Sequence, residues 1–333
     1  MSSAVRQRWV AECTALTGPD GLQLVQRPQE TLQTTSCRVR LLACGVNFPD
    51  LLLTRGQYQL RLQPPFVPGL EAAGCVVEIG SGVRGFHAGD LVVGNLAHGL
   101  YASEAVIPES QLVPAPRGFS PVEQACFYVA AFTAAHALID RGQLRAGETL
   151  LVLGAGGGVG LAAVEIGCLL GARVIAAASS AAKLDAARIR GADALIDYRS
   201  QPLVQTVRAL APEGVDVIFD PVGGELFDQT MRLPAANGRL LIVGFASGSI
   251  GTVPANLPLL KGYSVVGVRA GEAARRDPSI AARIRERLHD WTQAGHLRPH
   301  VPHILPLGAA AEALRLLEQR QAIGRIALLP PES

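Results

Sequence analysis

The chain has 333 residues, of which 49% are hydrophobic and 17% are charged, and its formal net charge at pH 7 is +2. This length allows two domains with cores of their own, and the hydrophobic content excludes an intrinsically disordered chain. The small net charge gives no indication of a nucleic-acid partner or of a membrane-surface partner.

Targeting and redox features indicate a cytoplasmic protein. No apolar segment reaches transmembrane length without charged or turn residues, and the N-terminus lacks the basic and apolar regions of a signal peptide. The six cysteines include no Cys-x-x-Cys pair, which is typical of buried thiols in a reducing compartment. We therefore expect a soluble cytoplasmic protein that acts on a small molecule.

Residues 1–120 are predicted to form a β domain. Apolar and polar residues alternate at 37–43, and a second strand pattern covers 72–79. Frequent Gly and Pro residues between short strands favour a compact, barrel-like arrangement.

Helices enter the pattern at residue 120. Ser120, Pro121 and Glu123 form a helix start signal, and the apolar run that follows predicts a helix to about residue 139. From Thr149 onward strands and helices alternate, which predicts an α/β fold with a doubly wound parallel sheet and helices on both faces. The predicted strands are 149–154, 172–178, 194–197, 215–220, 239–244 and 264–268, and the helices between them are 161–170, 182–190, 203–210 and 226–233.

The chain ends with helices at 278–293 and 309–319 and a strand at 325–329. The strand at 325–329 lies too far from the regular alternation of strands and helices to be the next strand of the parallel sheet. We therefore expect it to return to the N-terminal domain. The predicted division is a catalytic domain at 1–120, a nucleotide-binding domain at 121–270 and a C-terminal segment at 271–333.

The segment 150–160 carries the strongest functional signal, because an aliphatic strand leads through a glycine cluster into an apolar helix. This order seats a pyrophosphate on a helix N-terminus. Ala155 occupies the first glycine position of the usual Gly-x-Gly-x-x-Gly pattern, so the prediction depends on the strand–loop–helix–strand order. The expected cofactor contacts here are Gly154, Gly157, Gly158, Val159 and Gly160.

The end of the second strand of this domain selects the cofactor. An NAD site needs an acidic residue there to accept a hydrogen bond from the ribose 2′-hydroxyl, but no acid occurs before Asp185. Ser179, Ser180 and Lys183 instead offer hydroxyls and a positive charge, which suit a 2′-phosphate. Lys183 is one of two lysines in the chain, and its alternative interpretation is a solvated helix residue. The preferred cofactor is NADPH.

Motifs spread over essentially the whole chain resemble the zinc-independent quinone oxidoreductase (zeta-crystallin-like) branch of the medium-chain dehydrogenase/reductase superfamily. The resemblance implies a GroES-like domain completed by the C-terminal segment, a Rossmann NADP-binding domain, and a homodimer joined through the strand at 264–268. The motifs that carry it are the glycine loop and the segments 45–50, 55–58, 68–71, 133–138, 179–183, 197–198, 254–262 and 264–268.

The resemblance also implies roles for individual residues. Asn47 and Asp50 would line the nicotinamide end and Tyr58 the mouth of the substrate site, which makes these three the catalytic candidates. Asn47 could instead only cap a turn, and Asp50 could only start a helix. Leu52 replaces a tyrosine found in some family members, and the pocket is then more apolar. The implied cofactor contacts are Thr133, Phe245, Val266, Val268, and, on the 2′-phosphate side, Tyr198 and Arg320.

No metal site is expected. The zinc-containing members of the superfamily have a cysteine where this chain has Asn47 and a histidine where it has Leu70, and a catalytic zinc needs three such ligands. His296, His300 and His303 are a second metal candidate, but the prolines between them preclude a regular helix that would align them.

Without a Lewis acid, hydride transfer requires an acceptor that is already electron-poor. We therefore predict a zinc-independent, NADPH-dependent reductase of quinones or α,β-unsaturated carbonyl compounds. One alternative is an enoyl-thioester reductase, for which Arg55, Arg61 and Arg269 are candidate ligands of a CoA phosphate. The other is an NADPH-binding protein without catalysis, such as a sensor or a crystallin-like protein.

Overall fold

The computed structural model describes residues 6–331. No helix in that range combines the length and the apolar character needed to cross a membrane. The strands are β1 Gln7–Cys13, β2 Leu22–Pro28, β3 Ser36–Val46, β4 Glu71–Ile79, β5 Leu91–Asn95, β6 Glu104–Pro108, β7 Leu112–Pro114, β8 Thr149–Leu153, β9 Arg173–Ala178, β10 Ala194–Asp197, β11 Val215–Asp220, β12 Pro234–Ile242, β13 Ser264–Gly267, β14 His303–Pro306 and β15 Ile326–Leu329. The helices are α1 Phe48–Thr54, α2 Pro121–Ala125, α3 Tyr128–Ala135, α4 Gly158–Leu169, α5 Ala181–Ile189, α6 Leu203–Leu210, α7 Gly224–Thr230, α8 Asn256–Lys261, α9 Ala270–Arg276, α10 Pro278–Gln293 and α11 Ala310–Glu318.

The chain folds into two compact units. The first unit contains the described residues up to Val129 together with those from Pro299 onward, and the second unit spans Ala130–Arg298. Each unit has its own buried apolar core. Of the predicted C-terminal segment, residues from Pro299 onward therefore belong to the N-terminal unit, whereas residues 271–298 belong to the second unit.

The first unit is built on a seven-stranded sheet in which β14, β15, β3, β4, β5 and β7 are successive neighbours and β6 also pairs with β3. Strand β15 runs antiparallel to β3, with Ile326 opposite Val46. The prediction that the last strand returns to the N-terminal domain is thus confirmed. Strands β1 and β2 form a separate antiparallel hairpin.

The second unit is built on a six-stranded parallel sheet with the order β10-β9-β8-β11-β12-β13. This is the strand order 3-2-1-4-5-6 of a doubly wound sheet. Four of the five β8 residues, and β9 after its first residue, are buried, as expected for parallel strands covered on both faces. The predicted fold class is confirmed, and the predicted strand positions agree with the structure except in β12, which begins at Pro234.

Three predicted helices differ from the structure. The helix expected at 226–233 spans Gly224–Thr230. The helix expected from residue 120 to about residue 139 is interrupted at Cys126, whose backbone leaves the helical region and whose carbonyl oxygen accepts a hydrogen bond from Arg325 Nε at 3.1 Å. It resumes as α3 and ends in a π-helix at His136–Arg141. The helix expected to begin at residue 161 begins at Gly158, inside the glycine cluster.

Candidate functional site

The glycine loop of the second unit lies at the point where the sheet changes direction. It connects β8 to α4, and β8 is flanked by β9 on one side and by β11 on the other. In open α/β sheets, ligands bind outside the carboxyl ends of the strands at such a switch point. The loop that carries the sequence signal therefore occupies the usual nucleotide position of this fold.

The loop backbone requires small residues for reasons of space. Gly154 has φ +58°, a conformation that favours glycine. A Cβ on Gly160 would lie 2.3 Å from the Gly154 carbonyl oxygen, and a Cβ on Gly156 would lie 2.4 Å from Lys183 Cβ. At Gly157, the N-cap of α4, the nearest atom to such a Cβ would be the Gly154 carbonyl oxygen at 3.5 Å, an ordinary van der Waals contact.

This combination fits a dinucleotide. Helix α4 has 12 residues, and the unpaired N–H groups of its first turn, together with its dipole, favour an anion at its N-terminus. Because Gly157 has no side chain and no protein atom crowds it more closely than 3.5 Å, a phosphate could approach its backbone closely. Gly158, Val159 and Gly160 form the first turn of the helix.

The residues predicted to select the 2′-phosphate are brought together at the end of β9. Ser180 is the N-cap of α5, and its Oγ accepts a hydrogen bond from the Lys183 N–H at 3.4 Å. Lys183 Nζ donates to Ser179 Oγ at 3.4 Å. Because the stem of Lys183 packs against Gly156, the ammonium group is held beside the glycine loop.

The remaining cofactor candidates lie in different elements, and all of them except Arg320 belong to the second unit. Tyr198 directly follows β10, and its N–H donates to the Ala178 carbonyl at 3.2 Å, which places it next to the end of β9. Val266 lies in the edge strand β13, and Val268 follows that strand. Phe245 is partly exposed beside the turn at Gly223, and Thr133 lies in α3. Arg320 belongs to the first unit, where it follows α11 with φ +56°.

The first unit contains a buried polar network around Asn47. Arg325 Nη1 donates to Asn47 Oδ1 at 2.9 Å, and Arg325 Nη2 forms an ion pair with Glu71 Oε1. Asn47 Nδ2 donates to Glu71 Oε1 at 3.1 Å and to the Gly45 carbonyl at 3.4 Å. Both N–H groups of the Asn47 amide are therefore engaged within the unit. The other Glu71 oxygen accepts from the Val129 N–H at 3.1 Å.

Asp50 forms a second part of this network. It is completely buried at the start of α1, where its Oδ2 accepts from the Asn47 N–H at 2.8 Å and from the Tyr101 hydroxyl at 3.0 Å. Its Oδ1 accepts from the Gly69 N–H at 3.0 Å. Burial raises the pKa of Asp50 to about 7, against the opposing effect of these hydrogen bonds.

Tyr58 packs beside an apolar cluster of the first unit. Its ring is half-buried against the apolar cluster formed by Cys13, Leu53 and Phe66. Leu70, at the position where zinc enzymes of the superfamily have a histidine, packs against the same cluster. Leu52 is half-buried in α1.

Sequence reasoning missed Tyr101 and Arg325. Tyr101 lies 51 residues from Asp50, and Arg325 lies 278 residues from Asn47, so no local spacing announces either contact. Glu71 was noted only as part of a motif. The sequence signal that could have indicated a role for Glu71 in the site is its position directly after Leu70, where zinc enzymes of the superfamily have a ligand.

Comparison with known proteins is consistent across both units. The family model described as "Alcohol dehydrogenase GroES-like domain" matches residues 33–117, and the one described as "Zinc-binding dehydrogenase" matches residues 158–285. "Quinone oxidoreductase-like protein 2" of Bos taurus is 35% identical over 320 residues, which cover 96% of this chain and 91% of the relative.

Solved structures give the same result. The Escherichia coli quinone oxidoreductase complexed with NADPH has a TM-score of 0.90 at 27% identity, covering 98% of this chain and 100% of that one. A mycobacterial protein complexed with NADPH has a TM-score of 0.90 at 30% identity, covering 97% of this chain and 100% of that one. The chain belongs to the quinone oxidoreductase branch of the medium-chain dehydrogenase/reductase superfamily.

As a member of this branch, the chain is an NAD(P)-dependent oxidoreductase with a GroES-like unit and a Rossmann unit. One of the two matching families is named for zinc binding, and a zinc site requires a set of metal ligands. Among residues 6–331 no three His, Cys, Asp or Glu side chains are grouped so that they could hold a metal ion. His303 is engaged otherwise, since its Nε2 accepts from the Ile323 N–H at 3.1 Å.

The donor set around Asn47 does not fit zinc. The Asn47 amide and the Glu71 carboxylate are both bound to the Arg325 guanidinium, and the sulfur of Cys44 donates to the Ala102 carbonyl. A catalytic zinc needs three soft or borderline ligands and an open position. The arrangement instead fixes the Asn47 side chain and backbone from several directions.

Proposed function

We propose that this oxidoreductase transfers hydride from NADPH to a quinone or to an α,β-unsaturated carbonyl compound, without a metal ion. The observation that carries the proposal is the position of Lys183, whose ammonium lies at Ser179 Oγ while its stem packs on Gly156 of the nucleotide loop. A dianionic 2′-phosphate needs donors and positive charge at this place. NADPH supplies the hydride when it is bound.

Two further residues extend the proposed 2′-phosphate site. Tyr198, beside the end of β9, would contact the adenosine ribose. Arg320 remains a candidate for the 2′-phosphate through the family resemblance. The loop glycines with Val159 would bind the pyrophosphate, while Thr133, Phe245, Val266 and Val268 would contact the nicotinamide half.

The proposed reaction residues of the first unit have different tasks. The buried network supports Asn47 as an oriented polar group, because Glu71 and Arg325 hold its amide and Asp50 holds its backbone N–H. Tyr58 is the candidate donor to the oxyanion that develops on the acceptor, with solvent as the other source of the proton. The proposed domains remain a catalytic domain at 1–120, a cofactor domain at 121–270 and a returning segment at 271–333, although residues 121–129 belong to the first compact unit and residues 271–298 to the second.

A homodimer in the cytoplasm completes the proposal. Strand β13 is the edge of its sheet, and Ile250, Leu259 and Leu260 nearby in the chain are 74%, 81% and 76% exposed. An exposed strand edge with apolar neighbours is a typical surface for pairing with a second copy. All six cysteines are free thiols, as is usual in a reducing compartment.

The test is the oxidation of NADPH, followed by its absorbance, with a panel of benzoquinones, naphthoquinones and linear enones. We expect turnover of at least one class, and kcat/KM with NADPH at least about tenfold above that with NADH. Thermal stabilisation by NADPH without turnover of any acceptor would instead support a non-catalytic NADPH-binding protein. Equal kcat/KM values for the two cofactors would contradict the 2′-phosphate assignment.

A further inference from the structure

Helix α9 carries a group of three arginines around one glutamate, here called the arginine cluster: Arg269, Glu272, Arg275 and Arg276. Arg275 donates to both Glu272 oxygens, with distances of 2.8 and 3.1 Å, and Arg276 Nε donates to Glu272 Oε1 at 2.7 Å. Arg269 Nη2 lies 4.0 Å from Glu272 Oε2. The single carboxylate thus orders three guanidinium groups.

The cluster has a surplus of positive charge that faces solvent. The side chains of Arg269, Arg275 and Arg276 are 60%, 75% and 75% exposed, whereas Glu272 is only 12% exposed. Each guanidinium has five N–H donors, so the bonds to one carboxylate leave several of them available to a ligand. Asp277, the next acid, accepts from the Ser279 N–H at 3.0 Å as the cap of α10.

The position of the cluster separates it from the adenosine phosphates. Arg269 comes two residues after the end of β13, the sixth strand in the doubly wound order, and Val268 between them bonds to the Ile242 carbonyl. The loop at Lys183 follows the second strand. Because each half of this sheet binds one mononucleotide, the cluster lies on the half that holds the reacting nicotinamide.

We propose that the arginine cluster binds a phosphate or carboxylate group on the acceptor, so that the preferred substrate is an electron-poor carbonyl compound with an anionic tail rather than a neutral quinone. Exposed guanidinium groups with fixed orientation suit phosphate and carboxylate oxygens, which they bind by paired hydrogen bonds. The inference rests on the proposed hydride transfer and specifies its acceptor.

The experiment compares acceptors that differ in charge but all contain a carbon–carbon double bond conjugated with a carbonyl group. Crotonyl-CoA supplies phosphates, 4-oxo-2-pentenoate supplies a carboxylate, and 3-penten-2-one is the neutral enone. For the unaltered enzyme we expect kcat/KM to be about tenfold or more higher for at least one anionic acceptor than for the neutral enone, and the advantage to shrink between 50 and 500 mM NaCl. The anionic compound whose kcat/KM exceeds that of the neutral enone identifies phosphate or carboxylate as the natural group.

Substitution distinguishes the cluster from general surface charge. The triple variant Arg269→Gln, Arg275→Gln, Arg276→Gln should lose the anionic advantage while the neutral enone and a neutral quinone keep their kcat/KM values. Arg208→Gln is the matched control, since it removes an exposed charge from α6, the helix that follows β10 at the opposite edge of the sheet. No anionic advantage in the unaltered enzyme, or an advantage that the triple variant retains, would overturn the inference. Failure to reduce any acceptor would instead refute the proposed function.

Discussion

The side chain of Lys183 packs directly against Gly156, so that a Cβ on the glycine would come within 2.4 Å of Lys183 Cβ. This contact couples the charge that is proposed to select NADPH to the loop that is proposed to hold its pyrophosphate. The lysine is therefore placed by the loop itself and by Ser180, whose hydroxyl caps the helix that carries it.

Replacing Lys183 with glutamate should reverse the cofactor preference. The new carboxylate would repel a 2′-phosphate but could accept from the ribose 2′-hydroxyl of NADH. We expect the Kd for NADPH, measured by fluorescence titration, to rise about a hundredfold and that for NADH to change less than about threefold.

The second lysine of the chain is a natural control for this variant. Lys261 Nζ donates to the Arg232 carbonyl at 2.8 Å. Lys261 and Arg232 are both distant in sequence from the glycine loop at 154–160. Lys261→Glu makes the same change in net charge and should leave both Kd values unaltered. An equal loss of NADPH and NADH affinity in Lys183→Glu would show that the lysine supports the loop rather than the phosphate.

The glycines of the loop should separate folding from cofactor binding. Gly160→Ala places a Cβ 2.3 Å from a backbone oxygen and should reduce the free energy of unfolding by about 1–3 kcal/mol. Gly157→Ala meets nothing within the protein closer than 3.5 Å, so its stability without cofactor should be unchanged. If a phosphate approaches the backbone at Gly157, this variant should nevertheless lose most of the increase in Tm caused by NADPH. Retention of that increase would place the pyrophosphate elsewhere.

Much of the second unit could be predicted from local sequence, because its signals are short-range. Strands β8 and β9 contain uninterrupted apolar runs after their first residues, and Ser180 and Lys183 lie within one helical turn of each other. The start of α4 was placed three residues late because a glycine cluster usually indicates a loop, whereas here Gly158 already belongs to the helix.

The network of the first unit could not be predicted in the same way. A motif indicates Asn47 and Asp50, but their partners are distant in sequence. Arg325 precedes β15 and reaches Asn47 through the pairing of β15 with β3, while backbone hydrogen bonds to Ala11 and Pro68 hold Tyr101 at Asp50. A strand register of this kind depends on tertiary packing, which local periodicity does not determine. The interruption of the helix at Cys126 has the same origin, since its carbonyl is bound by Arg325.

The buried pair of Arg325 and Glu71 should be strongly coupled in stability. Glu71→Gln or Arg325→Met alone leaves the partner's charge buried without its counter-ion, and each should cost about 3–5 kcal/mol in the free energy of unfolding. The double variant should recover a large part of that loss. Urea denaturation of the four proteins gives the coupling energy directly. The matched surface pair, Asp185 with Arg188, whose side chains are 62% and 61% exposed, should give less than about 1 kcal/mol in the same cycle. Additive losses at Glu71 and Arg325 would contradict the described ion pair.

Asp50 should make the stability of the enzyme depend on pH in an unusual direction. Its pKa is raised from 3.8 to about 7 by burial, so between these values the native protein holds a proton that the unfolded chain has released. The contribution of Asp50 to the free energy of unfolding must therefore decrease as pH rises from about 4 to 7.

In Asp50→Asn this contribution is absent, and the variant should also be about 1–3 kcal/mol less stable, because its amide cannot accept all the hydrogen bonds that Asp50 receives. Urea denaturation at intervals from pH 4.5 to 8 measures the difference between the two proteins, and Asp185→Asn, at a 62% exposed position, is the control. Parallel curves for Asp50→Asn and the unaltered enzyme would show that Asp50 is ionised throughout this range.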